Sequence, residues 1–216
     1  MIKRGLLLVT FLTVVLSVQG TDNEQRYEKN MKAAIQELYS AQDVESLTAI
    51  VNKFERIGNA EEGKWHPFYY ASYGSLLKAI YSMNSDKSAM DPFLDEAQSY
   101  LDKAEEVESN VETVLLQGYI HMIRLTVDPA SRGQQYSGES MQKFGQALSM
   151  DPNNPRALML MGQMKMGTAQ FFGQDGSEGC EMIANSVSYF DKYESKNALD
   201  PAWGKEFAES AAEGCK

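Results

Sequence analysis

The chain has 216 residues, with 20 Lys and Arg against 30 Asp and Glu, a formal net charge of −10. An acidic chain of this kind repels nucleic acid and anionic lipid at long range, so neither is expected as a partner. The size suits one domain with a sizeable core.

The first twenty residues, "MIKRGLLLVTFLTVVLSVQG", read as a secretory signal peptide. Lys3 and Arg4 form a basic start, and Gly5 to Leu16 is apolar but short for a membrane span. Polar "TDNEQ" follows the small residues Val18 and Gly20. Removing 20 of the 216 residues leaves a single domain over 21–216 and takes two positive charges, moving the net charge to −12. No later stretch is apolar enough to span a bilayer, so the mature chain is expected to lack a transmembrane segment. The expected location is the periplasm, or the exterior.

Strand signals are poor, and apolar residues recur at three and four. Helices are expected near 23–40, 44–58, 66–83, 91–107, 111–126, 138–149, 155–171, 178–193 and 201–214. The second carries Leu47, Ile50, Val51, Phe54 and Ile57 on one face. The fourth has Asp91 as N-cap and Pro92 in the first turn. "DPNN" at 151–154 stops the sixth helix, and Pro155 opens the seventh.

Gly74, Gly118 and Gly162 each interrupt an apolar helical run, and they are spaced 44 and 44 apart. A helix-interior glycine costs about 1 kcal/mol relative to alanine. A cost repeated at a fixed interval implies a repeated need, namely close approach of a partner helix. Ala97 and Ala104, and Ser140 and Ala147, would face the first two glycines from the second helix of each pair. Self-similarity at this period signals stacked helix hairpins.

Ser140, Phe144, Ala147 and Pro152, followed by Leu158 and Gly162, resemble the tetratricopeptide repeat (TPR). The unit here is 44 residues against about 34, so about ten residues are inserted within each hairpin. The turn after Ala104 carries Ser109 where the repeat has proline. "FERIGNAEEGKWHPFYYA", "DPNNPRALML", "FFGQD" and "DPAWGKE" further resemble a group of small exported bacterial TPR-like proteins of unassigned activity. The resemblance implies an all-α, TPR-like α-solenoid with a C-terminal capping helix. Cys180 and Cys215 form an even pair in an exported chain, which favours a disulfide over two free thiols. The resemblance supports the same link.

Catalytic motifs are lacking. His66 precedes Pro67, and His121 stands mid-helix at a packing position. "SLLK" and "SMQK" match SxxK without partner motifs. Four Met in 159–166 fall on two helix faces, which suits core filling better than copper binding. The acidic spacing in "FFGQDGSEGCE" is not that of an EF-hand, so Phe171 and Phe172 are expected to pack inward, with Asp175 or Ser177 capping the next helix. Trp203 is expected to anchor the capping helix. No enzymatic activity, metal or cofactor is expected.

In TPR-like repeats the first helix of each hairpin lines the concave side. Counted around the glycines, this places Glu112, Leu115, Tyr119, Met122, Arg156, Met159, Gln163 and Met166 in a groove. Glu112 and Arg156 would stand at its rim. An open groove would make the chain a scaffold for a protein segment or peptide. Closed by the inserted residues, the groove would make it a carrier of a small apolar ligand.

Overall fold

The computed structural model describes residues 8–195 and 197–215, with side-chain environments from Asp22 onward. Residues 1–7 of the expected signal peptide lie outside the described residues, and the remainder, from Leu8, is helical and continuous with the first helix. Nine α-helices are present among the described residues: α1 Leu8–Ser40, α2 Val44–Ala60, α3 His66–Ser82, α4 Met90–Val107, α5 Val111–Val127, α6 Pro129–Met150, α7 Pro155–Phe171, α8 Ser177–Phe190 and α9 Lys205–Glu213. No helix among those described is long and apolar enough to cross a membrane.

The helices stack as an array of antiparallel neighbours. The odd-numbered helices touch one another in succession, and an even-numbered helix packs between each consecutive pair. The core runs the length of the array, from Met31 and Leu38 through Phe54, Tyr69, Leu76, Leu94, Leu101, Leu115 and Phe144 to Leu160 and Ile183. α3 is buried on almost every side, including Ser72, Ser75 and Lys78. The Lys78 ammonium pairs with Glu96 and lies 4.5 Å over the Phe93 ring, which offsets its desolvation.

Local chemistry sets the helix ends. Asp43, Asn110, Asp128 and Asn154 each accept a backbone N–H of the first turn. Asn110 and Thr113 do so reciprocally. Several boundaries differ from expectation: α1 begins at Leu8 rather than 23 and α8 ends at Phe190 rather than 193, and three others bear on the packing. α6 begins at Pro129 rather than 138, because Asp128 caps it and Pro129 occupies its first turn. Residues expected to be inserted between helices are therefore the first turns of α6. α4 begins at Met90, so Asp91 lies inside it and is free to bind Arg132 in a bidentate pair at 2.7 and 2.8 Å. α9 begins at Lys205 rather than 201. Asp200 instead accepts from Asn197 N–H at 2.9 Å and caps no helix.

The three glycines spaced by 44 are all points of close approach. A Cβ on Gly74 would stand 2.8 Å from Val51, on Gly118 2.6 Å from the Phe144 ring, and on Gly162 2.7 Å from the Gly179 carbonyl oxygen. The nearest atoms are not the expected small residues. Ala97, Ala104, Ser140 and Ala147 are fully buried, but Gly74 is approached from α2, and Gly118 is met by the aromatic ring of α6.

Cys180 and Cys215 form a disulfide with a Cα–Cα distance of 5.6 Å, joining α8 to the end of α9. With a sequence separation of 35 between its ends, the bridge contributes about 3–4 kcal/mol in the chain-entropy model. Cys215→Ser should lower the melting temperature without abolishing the helical signal, since the rest of the array has its own core. Gly162→Ala should cost about 1–3 kcal/mol, because the opposing atom is backbone and cannot rotate away. Gly145→Ala, whose Cβ would meet nothing closer than 3.8 Å, should be neutral or stabilising by up to about 1 kcal/mol. Urea unfolding of the three variants checks the order.

Candidate ligand-binding cleft

The concave face formed by α1, α3, α5 and α7 is occupied by the chain itself. Residues 193–195 and 197–204 cross it as a strap. The Trp203 ring stacks on Tyr73 at 4.9 Å and on Tyr119 at 5.8 Å, and its Nε1–H donates to the Tyr69 hydroxyl at 3.0 Å. Tyr70 donates to the Leu199 carbonyl at 2.9 Å, and Ala202 N–H donates to the Tyr39 hydroxyl at 3.2 Å. His66 Nε2 lies 3.2 Å from Asp200. Trp203 therefore anchors more than its own helix.

Beneath the strap lies a buried ion pair. Arg156 donates to both Glu112 oxygens at 2.7 and 2.9 Å, and also to the Tyr193 hydroxyl at 3.0 Å. Asn154 Nδ2 donates to Glu112 at 2.8 Å, so the cap of α7 also braces the acid. The guanidinium sits 4.8 Å over Tyr193 and 5.8 Å from Trp203. Burial pulls the Arg156 pKa down, but the Glu112 carboxylate more than compensates, and the net shift is upward.

Of the eight expected groove residues, Glu112, Leu115, Arg156 and Met159 are thus buried. Glu112 and Arg156 form an interior pair rather than a rim. The physical reason is that Leu199 and Trp203 cover an apolar face that water would otherwise have to wet. Met166 packs against the disulfide, with its sulfur 3.6 and 3.7 Å from the two Cys sulfurs. Only Tyr119, Met122 and Gln163 remain half-open toward cavities.

The larger cavity is a cleft of about 670 Å³ between the C-terminal half of α5, the first turns of α6 and the end of α7. Met122 and Leu125 form one wall, Pro129, Ala130 and Gly133 a second, and Met164 and Gly167 a third. Thr126, Gln134, Ser137, Gln163 and Thr168 supply neutral polar groups, so no titratable side chain is among the lining residues. The cleft exists because its walls are small. A Cβ on Gly133 or Gly167 would meet nothing within 4 Å. These two glycines meet no close neighbour to account for their helix cost, unlike Gly74, Gly118 and Gly162.

Phe171 and Phe172 stand at the mouth, contrary to the inward packing expected of them. They are 78% and 64% exposed, with ring centroids 5.1 Å apart in a T-shape. The chain turns just past α7, with Gln174 N–H bonding back to the Ala169 carbonyl at 2.8 Å, and both rings are left outside the core. Asp175 accepts from Ser177 N–H at 3.0 Å, but the N-cap of α8 is Gly176 and no side chain caps it, so neither Asp175 nor Ser177 is the cap expected. A smaller cavity of about 330 Å³ lies between α5, α7 and α9, lined by Tyr119, Met159, Gln163, Phe207, Ser210 and Ala211. Gln163 borders both.

His121 takes the expected packing role. It contacts Gln117 at 3.0 Å and Glu139 at 3.4 Å, stacks on Tyr136, and is held below the usual histidine range by burial. No group of three or more His, Cys, Asp or Glu suited to a metal stands among the described residues. The cleft itself was not found from sequence. Gly133 and Gly167 are helical glycines outside the 44-residue spacing, but so are Gly138 and Gly145, which do not line the cleft, so the sequence did not single them out.

Removing one partner of the ion pair should be costly. Arg156→Met leaves Glu112 buried without its cation and should lower stability by about 3–5 kcal/mol. Adding Glu112→Leu should recover much of that loss. Urea unfolding followed by Trp fluorescence checks the cycle.

No protein-family model matches the sequence, and no curated protein matches it. Among solved structures, the chain is similar to the HusA haemophore from Porphyromonas gingivalis. The TM-score is 0.74 at 30% sequence identity, over 92% of this chain and 94% of that one. Similarity at this level across almost the full length of both molecules shows a shared family, and the chain belongs to that of the HusA haemophore.

Proposed function

We propose that this protein is an exported, non-catalytic carrier that holds haem, or a closely similar flat tetrapyrrole, in the cleft between α5, α6 and α7. The observation that carries the reading is the cleft itself, kept open by two glycines with no close neighbour, in a relative of a haemophore. Its volume of about 670 Å³ lies in the ordinary range for small-molecule sites. The lining combines thioethers, aliphatic groups and a few neutral polar groups, which suits a large apolar ring system. Phe171 and Phe172 add aromatic surface at the mouth, where a flat ligand gains by stacking.

The scaffold reading has less support, because residues 197–204 lie on the face a bound peptide would need. Export is supported by the leader-like sequence at 1–20 and by the disulfide, which belongs in an oxidising compartment such as the periplasm or the exterior.

Affinity in such a cleft rests on burial of the ring rather than on a strong axial ligand. The lining atoms able to approach an iron are the thioether sulfurs of Met122 and Met164. Iron-free protoporphyrin IX should therefore bind within about tenfold of haem.

The test is titration of the purified chain with haem, followed by the Soret band. Gly167→Leu and Gly133→Leu extend side chains into the cleft from its walls, and their Cβ atoms would meet nothing within 4 Å. Each should weaken haem binding at least about tenfold, while the melting temperature holds or rises as a helix glycine is lost. Unchanged affinity in both variants, or no binding by the unaltered chain, would overturn the reading.

A further inference from the structure

The smaller cavity beside Gln163 has a different chemistry from the cleft. Three of its six lining residues bring groups able to donate hydrogen bonds: the Tyr119 phenol, the Gln163 amide and the Ser210 hydroxyl. No carboxylate lines it. The nearby Arg156 is already committed to Glu112 and Tyr193. The Tyr119 ring is held flat against Trp203, which fixes where its hydroxyl stands. That hydroxyl makes no hydrogen bond among the described residues, and burial alone pushes its pKa up to about 12. At neutral pH it is an unspent proton donor facing the cavity.

The roof of this cavity is α9. Phe207, Ser210 and Ala211 are spaced three and four residues apart, so they share one helix face. That face is set at both ends. Gly204, at φ 110°, makes the bend from strap to helix, and Cys215 is bonded to Cys180 on α8.

Resting on the carrier reading, we infer that the smaller cavity is a second subsite of the same cleft, where Tyr119, Gln163 and Ser210 hold the carboxylate edge of the tetrapyrrole. Gln163 borders both cavities and so marks where the ring body gives way to its polar arms. Neutral donors are well matched to a carboxylate. Hydrogen bonds to an ionised acceptor are about twice as strong as neutral ones, and no competing cation or acid need be desolvated. The subsite exists only while α9 is in place, so the disulfide helps to hold ligand selectivity together.

The experiment compares protoporphyrin IX with its dimethyl ester, which keeps the ring and removes the charge. Both are titrated by fluorescence into the unaltered chain, Tyr119→Phe, Ser210→Ala and the Cys180→Ser/Cys215→Ser double variant, with circular dichroism to check folding. The unaltered chain should bind the diacid about tenfold tighter than the ester. Tyr119→Phe and Ser210→Ala should each shrink that ratio severalfold while leaving ester affinity unchanged. Loss of the disulfide should shrink it too. Equal affinity for diacid and ester in the unaltered chain, or a ratio untouched by Tyr119→Phe, overturns the subsite and leaves the carrier reading standing. Failure of both compounds to bind overturns the carrier reading and the subsite together.

Discussion

Closure of the concave face by Trp203 is the constraint on which the rest of this structure depends. The indole lies between Tyr73 and Tyr119, donates to Tyr69, and sits beside the Arg156 guanidinium. Three helices, α3, α5 and α7, and the strap thus meet on one side chain. Its burial also permits the Glu112–Arg156 pair to remain dry. A buried pair of this kind contributes little net stability, because desolvation offsets its attraction, but it is costly to break. It therefore acts as a register device. Glu112 opens α5 and Arg156 opens α7, and each finds its partner only when the two helices are correctly stacked.

Once the concave face is filled from within, open space is left elsewhere. It appears where the first turns of α6 pass the end of α7, and small residues on both walls keep it from collapsing. The structure thus holds two kinds of helical glycine. At Gly74, Gly118 and Gly162 the missing side chain is replaced by a neighbour, and the helix cost is offset by packing. At Gly133, Gly138 and Gly167 nothing replaces it, and the first and last of these line the cleft. Two exposed phenylalanines at the same edge forgo about 1.5–3 kcal/mol each that burial would have supplied. Vacant volume and exposed aromatic surface at one location are what a carrier needs, and a purely structural array gains from neither.

The electrostatics follow the same division. The largely buried cations Lys78 and Arg156 are paired, with Glu96 and Glu112, and Arg132 pairs with Asp91, whereas the cleft is lined by neutral side chains. An apolar ligand entering such a site displaces water from thioether and aliphatic surface and leaves no charge unpaired.

The sequence by itself determined the helices, their order and their close contacts. Those features are local: apolar periodicity, Asp and Asn caps, Pro in first turns, and glycines at a fixed interval. The Cys180–Cys215 link followed from there being only two cysteines. Even the early start of α6 was written in Asp128-Pro129, although the polar run after it carries no periodic signal. What only the tertiary structure decided is which faces stay open. Arg156 and Glu112 look like groove residues by position, and Phe171 and Phe172 look like core by composition, yet their places are exchanged. Whether a helix face meets solvent depends on segments distant in the chain: Trp203 is 47 residues from Arg156 and 91 from Glu112. Nothing in the local pattern around those residues records that the strap will return across them.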